Sequence, residues 1–146
     1  MSDLKLNVND ISIIDGSFSK QEAIRAVSEK MINAGLVKND YTQAMFDRDA
    51  QISTFLGNGI AIPHGTTEKR DSVIETGLKV IYYPQGIKWD EDNNIAYVVV
   101  GIAAKSNEHL DILRKLTRAV IADDTLERIL AVKTPEQLLA ILQGNS

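Results

Sequence analysis

The chain has 146 residues, of which 16 are basic and 20 are acidic, so its formal net charge is −4. It contains no cysteine, which excludes disulfides, thiolate catalysis and cysteine-ligated metal centres and favours a reducing, cytoplasmic compartment. The charges form no basic stripe for nucleic acid, and no apolar run reaches the roughly 18 residues that insertion into a membrane requires. We expect one domain over residues 1–146.

The first half of the chain predicts two helices and a short strand. Residues 19–22 have the spacing of a capping box, and apolar residues then recur at helical intervals until Gly35. A second helix is expected over residues 39–49. Residues 60–62 are apolar and precede Pro63, which pushes the residue before it toward extended geometry. This piece is therefore predicted as a strand that runs into a turn.

Two longer strands follow. Residues 73–83 and 95–104 are rich in β-branched and aromatic side chains, and the second segment is almost continuously apolar. Such a run predicts a central strand that is covered on both faces. Residues 84–94 lie between the two segments and hold Pro84, Gly86 and several acidic or amide side chains. We expect an exposed loop or a weak hairpin there.

The last third of the chain predicts three helices. Apolar side chains at helical spacing over residues 110–120 indicate the first of them. Asp124 opens the second, with Ile129 and Leu130 facing inward, and Thr134 caps the third in front of a proline. Helices and strands alternate without repeats. The predicted fold class is therefore α/β, with a single mixed β-sheet flanked by helices in an α/β/α sandwich.

The two histidines are the main candidates for nucleophilic or acid–base chemistry, because an unperturbed imidazole titrates near pH ~6.5. His64 stands between Pro63 and Gly65 at the end of a predicted strand, and His109 lies in the first turn of the third helix. Open α/β sheets tend to place their sites at strand ends. A histidine in such a position is more often a surface or capping group, so position alone leaves both interpretations open. No metal site is expected, because no third ligand stands at ligand spacing.

Arg48 is a third candidate, because a guanidinium offers a planar fork of donors that matches phosphate oxygens. The alternative is a solvated side chain at the end of a helix, paired with Asp47 or Asp49. Lys69 and Arg70 are interpreted first as solvated charges and second as part of a positive rim near the first histidine.

Residues 49–65, which read DAQISTFLGNGIAIPHG, resemble the phosphorylation-site signature of the mannitol/fructose-type enzyme IIA domains of the bacterial sugar phosphotransferase system. The signature consists of an acidic or amide residue, six free positions, an apolar residue with glycine, and then apolar-Ala-apolar-Pro-His-Gly; every constrained position is met. The resemblance extends over nearly the whole chain. Asn107-Glu108-His109 makes it most similar to the mannitol-specific branch.

This resemblance implies a phosphotransferase component that works as a phosphoryl carrier. The histidine phosphocarrier HPr would phosphorylate His64 at Nε2, and His64 would pass the group to a cysteine of the IIB domain of a mannitol permease. Arg48 would contact the phosphoryl group and His109 would lie beside His64. With turn N–H groups near Gly65, these side chains could stabilise the transferred charge, so we expect no cofactor and no metal.

Three alternatives remain open. The chain could be a fructose-type IIA or a nitrogen-regulatory IIA paralogue, although a regulatory paralogue is expected to diverge around His109, where this sequence keeps the sugar-type pattern. It could also be a binding module that is not phosphorylated and in which His64 is structural. The sequence fits both a free-standing subunit and a piece of a multidomain permease.

Overall fold

The computed structural model describes residues 6–105 and 108–144, without the side chains of residues 67, 68, 70 and 109. Five strands and five α-helices lie in these ranges. The strands are β1 (Ile11–Ile13), β2 (Phe55–Gly57), β3 (Ile60–Ala61), β4 (Gly77–Lys88) and β5 (Ile95–Ala103). The helices are α1 (Lys20–Asn33), α2 (Tyr41–Gln51), α3 (Glu108–Val120), α4 (Thr125–Leu130) and α5 (Pro135–Leu142), with 3-10 turns at Val8–Asp10 and Thr67–Ser72.

The five strands form one mixed sheet in the order β1-β4-β5-β3-β2. The long strands β4 and β5 are antiparallel, β1 runs parallel to β4, β3 runs parallel to β5, and β2 closes the other edge antiparallel to β3. The predicted mixed sheet is confirmed. Strand β5 lies between β4 and β3, so the prediction that it is internal to the sheet is also confirmed.

The core is divided between the two faces of the sheet, because successive side chains of a strand point to opposite sides. Val98 and Val100 of β5 pack on the face that is covered by α3, α4 and α5. Val99, between them, packs on the face that is covered by α1 and α2. Helices therefore cover both faces, as the α/β/α sandwich predicts. Within the described part of the chain, no helix has both the length and the apolar character needed to cross a membrane.

The predicted capping boxes are present. Ser19 Oγ accepts a hydrogen bond from the Glu22 N–H at 3.1 Å, and the Ser19 N–H donates to Glu22 Oε1 at 2.9 Å. Thr134 forms the same pair with Gln137 at the start of α5. Each box satisfies backbone donors that the first turn of a helix leaves without partners.

Two details of the prediction are wrong. Of the two expectations for residues 84–94, the hairpin is confirmed and the exposed loop is wrong: β4 continues to Lys88 through a register shift between Tyr82 and Ile87, and Lys88 pairs with Ile95 of the antiparallel β5. Pro84 lies in that shift, where a missing backbone donor is tolerated. Trp89, just beyond β4, is only 1% exposed. Leu130 is also not inward, since it is 50% exposed on a helix of six residues whose core contact is Ile129.

Candidate active site at His64

His64 lies where the chain leaves β3 and continues beside the end of β5. The Ile102 N–H donates to the Pro63 carbonyl at 3.1 Å, and His64 is bridged to Ile102 in parallel register. The imidazole is partly buried. The predicted strand that runs into a turn is confirmed, and the turn places His64 at the carboxyl end of two neighbouring parallel strands.

The contact of His64 with the backbone defines its tautomer. Nδ1 is 2.7 Å from the carbonyl oxygen of Ile62. A carbonyl has no proton to give, so the hydrogen must be on Nδ1, which donates it. In the neutral ring the lone pair is then on Nε2, and this is the tautomer that nucleophilic attack through Nε2 requires.

Ile62, whose carbonyl accepts the imidazole proton, is connected to α2 through its own N–H by a chain of hydrogen bonds. The Ile62 N–H donates to the Thr54 carbonyl at 2.9 Å. Thr54 in turn donates its N–H and its hydroxyl to Asp49 Oδ1, at 3.0 and 2.6 Å. We call the sequence Asp49, Thr54, Ile62 and His64 the relay. It fixes the acceptor of the imidazole proton relative to the end of α2.

Asp49 is the charged member of the relay and is buried, with 4% of its side chain exposed. Its second oxygen pairs with Lys20 Nζ at 2.6 Å, at the start of α1. Burial by itself raises the pKa of Asp49, but the hydrogen bonds from Lys20 and Thr54 outweigh this effect and hold the pKa below its ordinary value. Asp49 is also the first position of the 49–65 signature. An acidic or an amide side chain can accept the Thr54 N–H there, which explains why the signature admits both.

Tyr41 of α2 reaches the other side of His64. Its hydroxyl accepts a hydrogen bond from the Gly65 N–H at 2.8 Å and donates to the Ile102 carbonyl at 2.9 Å. The residue is buried, and burial raises the pKa of the Tyr41 hydroxyl, which keeps it protonated near neutral pH. The Gly65 N–H, expected among the donors to a phosphoryl group, is therefore engaged by Tyr41 in this structure.

Arg48 lies in the last turn of α2, partly buried, and its Nη1 donates to the Ile52 carbonyl at 3.1 Å. A cation is favourable there because helix carbonyls are exposed at the carboxyl end. The alternative interpretation paired Arg48 with Asp47 or Asp49; for Asp49 the structure shows a different ionic partner, Lys20. The same helix thus carries Arg48 and two of the residues that hold the His64 segment.

His109 is the second residue of α3, and its side chain lies outside the described part of the structure. The backbone still places it, because β5 ends at Ala103 next to the His64 bridge and α3 begins at Glu108. The start of α3 is fastened by Thr76, whose hydroxyl donates to Glu108 Oε1 at 2.6 Å. The backbone of both histidines therefore lies near the carboxyl end of β5.

The predicted positive rim is only partly described. Lys69 is half exposed and pairs with the equally exposed Asp40 at 3.6 Å, which agrees with a solvated charge. The side chain of Arg70 and the residue Asn107 lie outside the described part of the structure.

The family model described as "Phosphoenolpyruvate-dependent sugar phosphotransferase system, EIIA 2" matches residues 5–145. The chain therefore belongs to this family of phosphotransferase components, as the signature predicted. Two solved structures of similar sequence share the fold. The crystal structure of IIA mannitol from Escherichia coli has a TM-score of 0.85 at 37% identity and covers 95% of this chain and 99% of that chain.

The second is the complex of enzyme IIA-Mtl with phosphorylated enzyme IIB-Mtl from Escherichia coli, with a TM-score of 0.87 at 36% identity over 97% of this chain and 99% of that chain. Longer relatives also match. The multiphosphoryl transfer protein of Vibrio cholerae serotype O1 is 46% identical over 143 residues, 98% of this chain and 36% of that protein. The mannitol-specific EIICBA component of Escherichia coli K12 is 38% identical over 141 residues, 96% of this chain and 22% of that protein. The chain thus spans well under half the length of these relatives.

Proposed function

We propose that residues 1–146 form a IIA domain that acts in the cytoplasm as a phosphoryl carrier of the sugar phosphotransferase system. His64 accepts the group from phosphorylated HPr and passes it to a cysteine of the IIB domain of a mannitol permease. The observation that carries this proposal is the hydrogen bond from His64 Nδ1 to the Ile62 carbonyl, because it leaves the nucleophilic lone pair on Nε2.

The chemistry is a pair of displacements at phosphorus. In the first, a bond forms from His64 Nε2 to phosphorus while the phosphorus–nitrogen bond of the donor breaks. In the second, the cysteine thiolate of IIB attacks phosphorus and Nε2 leaves with the electron pair. The ring gains positive charge while it holds the phosphoryl group, and the Ile62 carbonyl dipole, which accepts Nδ1–H, stabilises that charge.

Two further side chains are proposed to serve the same site. Arg48 contacts the phosphoryl oxygens, since a guanidinium has five N–H donors and the Ile52 carbonyl engages one of its nitrogens. His109 acts as a neighbouring donor, which is supported by the position of the start of α3 beside the end of β5. Positioned donors of this kind can stabilise a loose phosphoryl-transfer transition state, so the proposal includes no metal and no cofactor.

The test is transfer of labelled phosphate from phosphorylated HPr. The wild type should acquire label that is labile in acid and stable in base, and His64→Ala should acquire none. His109→Ala should be labelled more slowly, because it loses a donor but keeps the nucleophile. Far-ultraviolet circular dichroism checks that the variants are folded, and a chelator added after HPr has been phosphorylated should change nothing. Equal labelling of wild type and His64→Ala would overturn the proposal.

The IIB domain that accepts the phosphoryl group distinguishes the mannitol-type, fructose-type and regulatory candidates. Several multiphosphoryl transfer proteins are 46% identical to this chain, against 38–43% for the mannitol-specific components, and their name specifies no sugar. Sequence identity therefore does not single out the mannitol branch, and a fructose-type IIA is the second candidate. The labelled protein is therefore chased with mannitol IIB and with fructose IIB in parallel. Rapid loss of label to mannitol IIB supports the first candidate, transfer to fructose IIB alone supports the second, and transfer to neither indicates a regulatory paralogue.

A further inference from the structure

The hydroxyl of Tyr41 connects two segments of backbone on either side of His64. One hydrogen bond comes from Gly65, the residue that follows His64, at 2.8 Å. The other goes to Ile102, the residue that faces His64 across the β5 bridge, at 2.9 Å. Ile102 also donates its N–H to Pro63, so the peptide groups before and after His64 are both tied to the same residue of β5, one of them through the tyrosine.

The aromatic ring of Tyr41 sets how close the His64 segment lies to α2. A Cβ built on Gly65 would be 2.5 Å from Cε1 and 2.8 Å from Cζ of this ring, so the backbone at Gly65 rests directly on the tyrosine. Tyr41 is only 4% exposed. Arg48 follows seven residues later, close to two helical turns, and thus lies on the same side of α2. Contact and hydrogen bonds together fasten the segment to the helix that carries Arg48.

We propose that Tyr41 is a positioning residue for His64. The Tyr41 hydroxyl holds the segment from Pro63 to Gly65 in the orientation in which Nδ1–H of His64 donates to the Ile62 carbonyl and Nε2 is unprotonated. This role rests on the proposed phosphoryl transfer through Nε2. Histidine in water prefers the opposite tautomer, with the proton on Nε2, so the protein must impose the reactive one. Removing the hydroxyl takes one partner from the Gly65 N–H and one from the Ile102 carbonyl and lets the segment turn.

The test compares Tyr41→Phe with a matched control, Tyr82→Phe. Tyr82 is 2% exposed and its hydroxyl donates to the Ile129 carbonyl at 2.6 Å, on the opposite face of the sheet. Each substitution removes one buried tyrosine hydroxyl and its hydrogen bond to a backbone carbonyl. Three quantities are measured: the His64 tautomer by long-range 1H–15N correlation, the rate of phosphorylation by phosphorylated HPr, and the midpoint of urea unfolding.

For Tyr41→Phe we expect a larger Nε2–H fraction of His64 and a phosphorylation rate lower by on the order of tenfold. For Tyr82→Phe we expect a lower unfolding midpoint with the wild-type tautomer and the wild-type rate. The role would be refuted if Tyr41→Phe kept both the tautomer and the rate, or if the two variants slowed phosphorylation alike. If Tyr41→Phe does not fold, 3-fluorotyrosine at position 41 keeps the ring and weakens the hydroxyl as an acceptor; it should shift the tautomer in the same direction, and no shift would overturn the role.

Failure of the proposed function is distinguishable from failure of this inference. If the wild type is not labelled by phosphorylated HPr, the carrier function is wrong. The tautomer measurement needs no phosphoryl donor, so it decides separately whether Tyr41 orients the imidazole of His64.

Discussion

The tautomer of His64 depends on its immediate neighbours in the chain. The carbonyl that accepts Nδ1–H belongs to Ile62, two residues earlier, and Pro63 stands between them with a fixed φ. The rigid proline limits how far the ring and this carbonyl can move apart. Gly65 then lets the chain pass against Tyr41 without a side chain in the way. The tripeptide Pro63-His64-Gly65 therefore keeps Nδ1 of the imidazole on the Ile62 carbonyl and leaves Nε2 as the unprotonated nitrogen of the neutral ring.

The close contact at Gly65 predicts a cost for any side chain at this position. In Gly65→Ala the added methyl would overlap the buried Tyr41 ring, since the built Cβ is 2.5 Å from Cε1. We expect unfolding to become easier by about 1–3 kcal/mol, the usual cost of overpacking. Urea unfolding followed by circular dichroism measures it. A variant as stable as the wild type would show that the ring moves aside freely.

The site residues differ in how visible they are in the sequence. His64 is found from its signature, whereas Tyr41 looks like one more core position of a helix, because its partner Gly65 lies 24 residues away. The only hint of its role in the sequence is chemical: a buried tyrosine hydroxyl needs a hydrogen-bond partner, and the backbone is a common one. The ion pair of Asp49 with Lys20 is hidden for the same reason, because Lys20 is distant in sequence but close in the fold.

Among the secondary-structure elements, α2 has the largest part in building the site. Its first turn holds Gly65 through Tyr41, and its last turn holds Thr54 through Asp49. Between these two anchors, the chain turns back through β2 and β3 to deliver His64. The helix therefore fixes both the segment that carries the imidazole and the acceptor of its proton.

Substitutions of Thr54 test the relay. Its hydroxyl donates to Asp49 at 2.6 Å and accepts from the indole N–H of Trp89 at 3.3 Å. In Thr54→Val both buried groups lose a partner at nearly constant volume, so we expect a loss of about 1–3 kcal/mol in the free energy of unfolding. Thr54→Ser keeps the hydroxyl and is the control. Urea unfolding measures the free energy of unfolding of both variants. If Thr54→Val and Thr54→Ser lost equal stability, the effect would come from packing, and this result would contradict the relay.

The predictability of the elements follows from their length and their signals. Helices α1 and α5 were readable because capping boxes mark their starts, and β5 because nine residues of nearly continuous apolar sequence need a covered strand. Strands β1 and β2 have three residues each, too few to show an alternation. The part of β4 after residue 83 is not predictable from the sequence, because proline and glycine normally indicate a turn, whereas here they lie in a register shift.

For the whole molecule, the ion pair of Asp49 and Lys20 links the end of α2 to the start of α1. A carboxyl group whose pKa is lowered by folding contributes stability that is fully present above its ordinary pKa of 3.8 and is lost as the pH falls through the lower folded value. The packing of α1 and α2 on their face of the sheet should therefore weaken in acid.

Asp49→Asn should accordingly show a flatter dependence of unfolding free energy on pH than the wild type. Near pH 7 the variant should be less stable, because it loses the charge partner of Lys20, and the gap should narrow from about pH 4 downward as the wild-type carboxylate is protonated. Asp47→Asn, on the exposed side of the same helix, is the control. Urea unfolding at a series of pH values measures this, and parallel curves for wild type and Asp49→Asn would contradict the assignment.

The position of Trp89 gives the molecule an optical property. It is the only tryptophan in the sequence and is almost fully buried, and its indole N–H bonds to the hydroxyl of Thr54. From Thr54 the relay continues to Ile62 and then to the imidazole. All tryptophan emission of this protein therefore comes from one fluorophore that is connected to His64 through two intervening residues. The fluorescence of the unlabelled chain should thus report on the segment that holds His64.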